Sequence, residues 1–137
     1  MDKTDEQIIS ILREDARLSY VDIAGKVGLS EAAVRRRVSN LVKNGVIRRF
    51  TIEVNEPQVT SAITYVSVSP SHPTSEISKK IVNVAGVETI FETTGSFDIA
   101  TIIKGSNIAE VNKSVEEIRR ITGVLKTDTS IILRTIR

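Results

Sequence analysis

Apolar residues in the first third of the chain recur at helical spacing. Ile8, Ile11 and Leu12 share one face of a first helix, with Ile9 at its margin, and Asp2 or Thr4 stands where a cap belongs. Ile23, Ala24 and Val27 form the stripe of a second helix that Ser19 can cap. Gly28 suits the left-handed conformation that ends a helix, and Leu29 can fold back onto it. Ser30 then offers its hydroxyl to the free N–H groups of a third helix. Val34, Val38, Leu41 and Val42 mark the inner face of that helix, which stops near Asn44 and Gly45. Two short helices across a tight turn at residues 28–30 spell a helix-turn-helix.

Beyond Gly45 the period changes. Residues 46–54, VIRRFTIEV, are rich in β-branched side chains and read as a strand, the wing of a winged helix-turn-helix. Pro57 cannot join a central strand, so residues 55–60 read as a linker. Residues 61–137 read as strand, helix, strand, strand, helix, strand. The first strand covers 61–68. A Pro-rich loop leads to a helix carrying Ile77, Ile81 and Val84, capped by Thr74 or Ser75 and closed at Gly86. Residues 87–93 and 97–104 pair as a hairpin across Thr94-Gly95-Ser96. Asn107 caps a helix with Ile108, Val111, Val115 and Ile118 on its stripe, and Gly123 ends it. The last strand is expected over 130–136. The expected class is α+β: a winged helix-turn-helix over 1–54 and a ferredoxin-like βαββαβ domain over 61–137.

Right-handed crossovers place both helices of the second domain on one sheet face. The strands nonetheless carry apolar residues on both faces. Phe97, Ile99 and Ile103 are expected to oppose Ala100 and Ile102, and Ile131 and Leu133 to oppose Ile132 and Ile136. A bare apolar sheet face marks an interface, so two copies are expected to pack sheet against sheet; the alternative is that the N-terminal domain covers that face.

The core must be aliphatic, because apolar residues make up 40% of the 137 positions and aromatics only 4%. There is no cysteine, which removes disulfides and thiol chemistry. No apolar run approaches the ~18 residues of a membrane span, so a cytoplasmic protein without membrane association is expected. The net charge is only +2, but residues 31–54 hold Arg35, Arg36, Arg37, Lys43, Arg48 and Arg49 against Glu31 and Glu53. That basic run opens a helix whose back is apolar, an arrangement suited to the major groove of double-stranded DNA. Ser30, Glu31, Ala32, Ala33, Arg35 and Arg36 are nearest the base edges, and Arg48 and Arg49 suit phosphates. Catalysis has little to build on: His72 is the lone histidine, in a Pro-flanked loop, with neither metal-ligand spacing nor a Gly-rich phosphate loop elsewhere. Neither an enzyme nor a metal site is expected.

The chain resembles the leucine-responsive/asparagine-synthesis regulator (Lrp/AsnC) family of transcription factors over nearly its whole length. The resemblance rests on Asp5, Ile8, Leu12, Asp15-Ala-Arg17, Ser19, Ile23-Ala24, Val27-Gly-Leu-Ser30, Val34, Arg37-Val38, Leu41 and Gly45-Val-Ile47. In the second half it rests on Val84-Ala-Gly-Val87 and Thr94-Gly-Ser-Phe-Asp98. It implies dimers formed through the C-terminal domain, further assembly into tetramers or octamers, and DNA binding near promoters. It places Arg37 at a family position that lies against the DNA backbone or packs within the domain. It also implies an amino-acid effector bound near the hairpin loop. A narrower resemblance, to archaeal members tied to lysine and glutamine metabolism, implies glutamine or lysine in that role and no other cofactor.

The loop has the chemistry for such a ligand. Gly95 lets backbone N–H groups approach a carboxylate, and Asp98 can accept from an α-ammonium group. Thr94, Ser96 and Thr101 add hydroxyls, and Phe97 lies within the same loop. Thr127, Asp128 and Thr129, expected just before the last strand, are candidates for reaching a neighbouring subunit's ligand, as is Glu92. A chromatin-architectural DNA-binding protein without effector response is the alternative that shares the basic helix.

Overall fold

A computed structural model describes residues 1–136; Arg137, the end of the expected second domain, lies outside them. The chain divides into two compact units, Met1–Val54 and Asn55–Arg137. Among the described residues no helix is long and apolar enough to cross a membrane.

The first unit contains α1 (Lys3–Glu14), α2 (Tyr20–Val27) and α3 (Glu31–Lys43). Asp2 caps α1, Ser19 caps α2 and Ser30 caps α3, each side chain accepting an N–H three residues on. Gly28, at φ 70°, closes α2 in the left-handed conformation. Ile8, Ile23, Ala24, Val34 and Val38 form the core, with Leu29 and Ile47 packed against it. Val42, expected on the buried stripe, is 44% exposed. It lies roughly 80° round the helix from Val34, at the edge of the face that α1 and α2 cover.

The expected strand over 46–54 does not form. The N–H groups of Val46 and Ile47 both donate to Leu41 O, and Gly45 donates to Val42 O, so the stretch begins as the Schellman closure of α3. A strand also needs a ladder partner, and the first unit contains no other strand.

The second unit contains β1 (Thr60–Val68), α4 (Thr74–Ile81), β2 (Val87–Glu92), β3 (Ile99–Gly105), α5 (Ile108–Arg119) and β4 (Val124–Ile131). The sheet is antiparallel in the order β2-β3-β1-β4, the split βαβ arrangement. Ala62, Val66, Ile99 and Ile103 face α4 and α5 and meet Ile77, Ile81, Val111, Val115 and Ile118 in the core. On the opposite face Ile63 pairs with Ile102 and Tyr65 with Ala100, all half-buried, and Phe91 is 53% exposed.

Four further expectations need correction. The backbone carbonyl side of Pro73, with no side-chain bond, starts α4, so neither Thr74 nor Ser75 caps it. Ile108 is 64% exposed because, with Ile131, it borders an open pocket of about 110 Å³ instead of the closed core. Phe97 precedes β3 and packs on Tyr65, 5.2 Å between ring centroids, so it sides with the open face and not with Ile99 and Ile103. The last strand runs over 124–131, not 130–136, because β1 can pair only from Ala62 opposite Ile131 to Val68 opposite Val124. Leu133 and Ile136 therefore lie beyond the sheet.

Candidate nucleic-acid interface and effector loop

The third helix is held by its back. Val34, Val38 and Leu41 are at most 5% exposed, while Glu31, Ala32, Arg35 and Arg36 face solvent and Ala33 is half-buried. Ser30 accepts the Ala33 N–H at 3.2 Å, so its hydroxyl belongs to the cap. The three consecutive arginines have three different situations. Arg36 is exposed, and among the described residues no hydrogen bond or ion pair holds its guanidinium. Arg35 pairs with Glu31 one turn back and lies 5.1 Å over the Tyr20 ring.

Arg37 turns the other way. Its Nη1 donates to Asp2 at 2.8 Å and Asp5 at 2.7 Å, tying α3 to the start of α1. The same two carboxylates form a reciprocal capping box: Asp5 N–H donates to Asp2 at 2.9 Å and Asp2 N–H to Asp5 at 3.1 Å. Arg37 is thus held inside its own domain.

Backbone donors, then Arg37, hold the Asp2 and Asp5 carboxyls below their ordinary range. Depressed carboxylate pKa values give stability that is complete above the unfolded pKa, and lost as pH falls through the folded one. Arg37→Ala is therefore expected to lower the thermal midpoint of the first unit by a few degrees at pH 7. The gap to the wild-type protein should close as pH falls through the lowered carboxyl values and both groups protonate. Thermal scans by circular dichroism check this; a gap as wide at pH 2 as at pH 7 would refute the clamp.

Arg48 and Arg49 are exposed in the segment after α3. They border a cleft of about 710 Å³ with Ile9, Leu12, Phe50 and Arg13. Arg13, in the last turn of α1, lines the same cleft. The ring beneath Arg35 has no counterpart in the sequence pattern.

In the second unit the loop between β2 and β3 is tightly tied. Thr93 donates its N–H to Asp98 O at 2.9 Å and its hydroxyl to Phe97 O at 2.8 Å, and Gly95 sits at φ 107°. The Asp98 carboxylate accepts the Val68 N–H at 2.7 Å, and the Asp98 N–H donates to Val66 O at 3.0 Å. Asp98 therefore pins the loop to the end of β1. Thr94, Gly95 and Ser96 are exposed at its tip.

The remaining candidates split between the two sheet faces. Asp128 is exposed and opposite Tyr65, on the open face that Phe97 also joins. Thr101 is fully buried and donates to Thr89 O at 2.9 Å, so it is not a loop hydroxyl. Thr127 accepts from Arg119 Nε at 2.8 Å, and Thr129 lies 2.9 Å from the Thr64 hydroxyl, both on the helix-covered side. All three of Thr127, Asp128 and Thr129 lie within β4, not before it. Glu92 is exposed at the end of β2. Among the described residues no group of three or more His, Asp or Glu side chains is arranged to hold a metal.

Comparison with known proteins fits this geometry. Residues 1–48 match the family described as winged helix-turn-helix DNA-binding, and residues 61–137 the Lrp/AsnC ligand binding domain. The chain is 47% identical over 134 residues to the HTH-type transcriptional regulator LysM of Sulfurisphaera tokodaii, covering 98% of this chain and 96% of that one. It is 46% identical over 135 residues to LysM of Saccharolobus solfataricus, covering 98% and 95%. The feast or famine regulatory protein of M. tuberculosis, solved in complex with L-methionine, shares the fold at a TM-score of 0.90. There the identity is 24%, over 99% of this chain and 94% of that one.

Proposed function

The chain belongs to the Lrp/AsnC family of transcriptional regulators, and on that premise we propose that it binds double-stranded DNA operators as a homodimer under the control of an amino acid. The observation that carries this reading is α3 itself: its apolar back is buried and Arg35 and Arg36 stand on its open front. Base edges fall to Ala32, Arg35 and Arg36 around the start of α3, with Ser30, Glu31 and Ala33 beside them. Arginine reads guanine through a bidentate fork, and an alanine methyl can meet a thymine methyl. Arg48 and Arg49 go to phosphates, where they position the protein without reading sequence.

The open sheet face supports the dimer. Ile63, Tyr65, Ala100 and Ile102 lie opposite the helices, with Phe91 at the edge, and a second copy of the same face would take them from water. A two-fold pair presents two α3 helices to the duplex, so half-sites should lie one helical turn apart or a multiple of it. Assembly of dimers into tetramers or octamers extends the same reading, in the cytoplasm.

The effector site is assigned to the loop Thr94–Asp98 with Asp128 nearby on the open face. Loop N–H groups around Gly95 suit a carboxylate. Asp98 spends one oxygen on Val68 and keeps acceptor capacity for an α-ammonium group. The methionine-bound relative supports an amino acid as the ligand class. Glutamine and lysine are the first candidates for this chain.

Two arginine variants test the DNA side. Arg36→Ala is expected to cost about 1–3 kcal/mol on the cognate site and less on random duplex. Arg49→Ala is expected to weaken both equally. Fluorescence anisotropy on both duplexes measures this, and matching losses for the two variants on both DNAs would remove the division between reading and positioning.

A further inference from the structure

The first of the α3 arginines is the one whose side chain is already placed. Arg35 has its guanidinium carbon 5.1 Å from the centre of the Tyr20 ring. Its Nη2 pairs with the Glu31 carboxylate at the start of the same helix. Tyr20 is the first residue of α2, half-buried against the core of the unit. The ring therefore stands on one element of the helix-turn-helix and the cation on the other. Arg35 still has 63% of its side chain exposed, so the ring and the carboxylate hold it without covering it. Arg36, next along the helix, has no such support.

We propose that Tyr20 is a positioning residue for Arg35, fixing its guanidinium over the ring so that Arg35 adds to the sequence discrimination of the helix, while Arg48 and Arg49 contribute general attraction. This deepens the DNA-binding reading above and rests on it. The physical argument has two parts. An arginine side chain has many rotamers, and ordering them at the moment of binding costs affinity. A cation stacked on an aromatic face has that ordering done beforehand. The second part is charge. Glu31 neutralises Arg35 in the free protein, so the pair adds little to the long-range pull on phosphates. A guanine edge, which offers two acceptors in the plane of the fork, can replace the carboxylate; a phosphate on an arbitrary sequence competes against it on less favourable terms.

The test uses the full chain and a duplex enriched from a random pool by the wild-type protein, with a scrambled duplex of equal composition beside it. Four variants are compared: Tyr20→Leu, Tyr20→Phe, Arg35→Ala and the Tyr20→Leu/Arg35→Ala double. Leucine keeps apolar bulk against the core without a π face, and thermal melts confirm that each variant is folded. Tyr20→Leu is expected to lower the enriched-to-scrambled affinity ratio about tenfold, with binding to the scrambled duplex unchanged. Tyr20→Phe should retain the wild-type ratio, because the ring and not the hydroxyl does the holding. In the Arg35→Ala background Tyr20→Leu should add nothing.

Three results overturn the proposal while leaving the regulator reading intact: an unchanged ratio in Tyr20→Leu, equal loss on both duplexes, or a Tyr20→Leu effect that persists without Arg35. A wild-type protein that enriches no sequence at all overturns the parent reading, and this proposal with it.

Discussion

Ile102→Asp is expected to convert the protein from dimer to monomer at micromolar concentration. Ile102 sits on the central strand β3, opposite Ile63 on β1 and Thr89 on β2, and on the face away from α4 and α5. A single copy leaves that face half-buried, and a second copy of the same face would complete its burial. A carboxylate there would be desolvated on association, and Lys104, the next side chain on that face of β3, is already paired with Glu88 and Glu56. An isologous interface places the change twice. The combined cost is expected to raise the dimer dissociation constant at least about a hundredfold. The subunit itself should survive, since its core uses Ile99 and Ile103 on the other face. Sedimentation velocity decides the matter. A wild-type protein already monomeric at these concentrations, or an Ile102→Asp variant that remains dimeric, would remove the sheet-to-sheet pairing.

Operator affinity is expected to collapse with salt. A dimer offering Lys43, Arg48 and Arg49 twice, with Arg35 and Arg36 at the base edges, would neutralise about six phosphates. Counterion release then predicts a loss of roughly 10³–10⁴ in affinity between 50 and 200 mM salt, with a slope near −0.9 per phosphate contacted. Arg37 does not enter that count, because Asp2 and Asp5 already hold it. Anisotropy titrations over a salt series measure the slope, and a flat response would refute the electrostatic part of the interface.

The helix-turn-helix was legible because its signals are local. Ser19, Gly28 and Ser30 act within one turn of where they stand, and the spacing of Val34, Val38 and Leu41 names the buried face directly. The order of elements in the second unit was legible for the same reason. The misplaced elements depended on partners far along the chain. Thr127, Asp128 and Thr129 look like turn residues beside the apolar run that follows them. They belong to β4 because β1 offers a ladder only from Ala62 to Val68, and because the Thr64 hydroxyl meets Thr129 across it. The segment over 46–54 has the composition of a strand, but no strand in its unit pairs with it.

The site was legible to the level of residue type. Three arginines in a row announce a basic helix, but their division of labour is decided elsewhere. Asp2 and Asp5, more than thirty residues away, claim Arg37, and Tyr20 on the preceding helix claims the face of Arg35. The loop shows the same limit. Gly95 and Asp98 were visible as candidates, while the role of Asp98 in pinning the loop to Val68 depends on a strand thirty residues earlier. Thr101 has a loop-like composition around it, yet alternation along β3 turns its hydroxyl inward to Thr89.

An arginine-bearing helix that reads a few DNA sites, governed by an amino acid at the Thr94–Asp98 loop, is what we propose. Footprinting of the wild-type protein across promoter-bearing DNA, alone and with each amino acid in turn, tests it most directly. The account predicts discrete protected sites whose extent changes with one amino acid or a few, and an Asp98→Asn variant that protects the same sites but no longer responds. Continuous coating of the DNA, indifferent to every amino acid, would contradict it and point to a packaging protein instead.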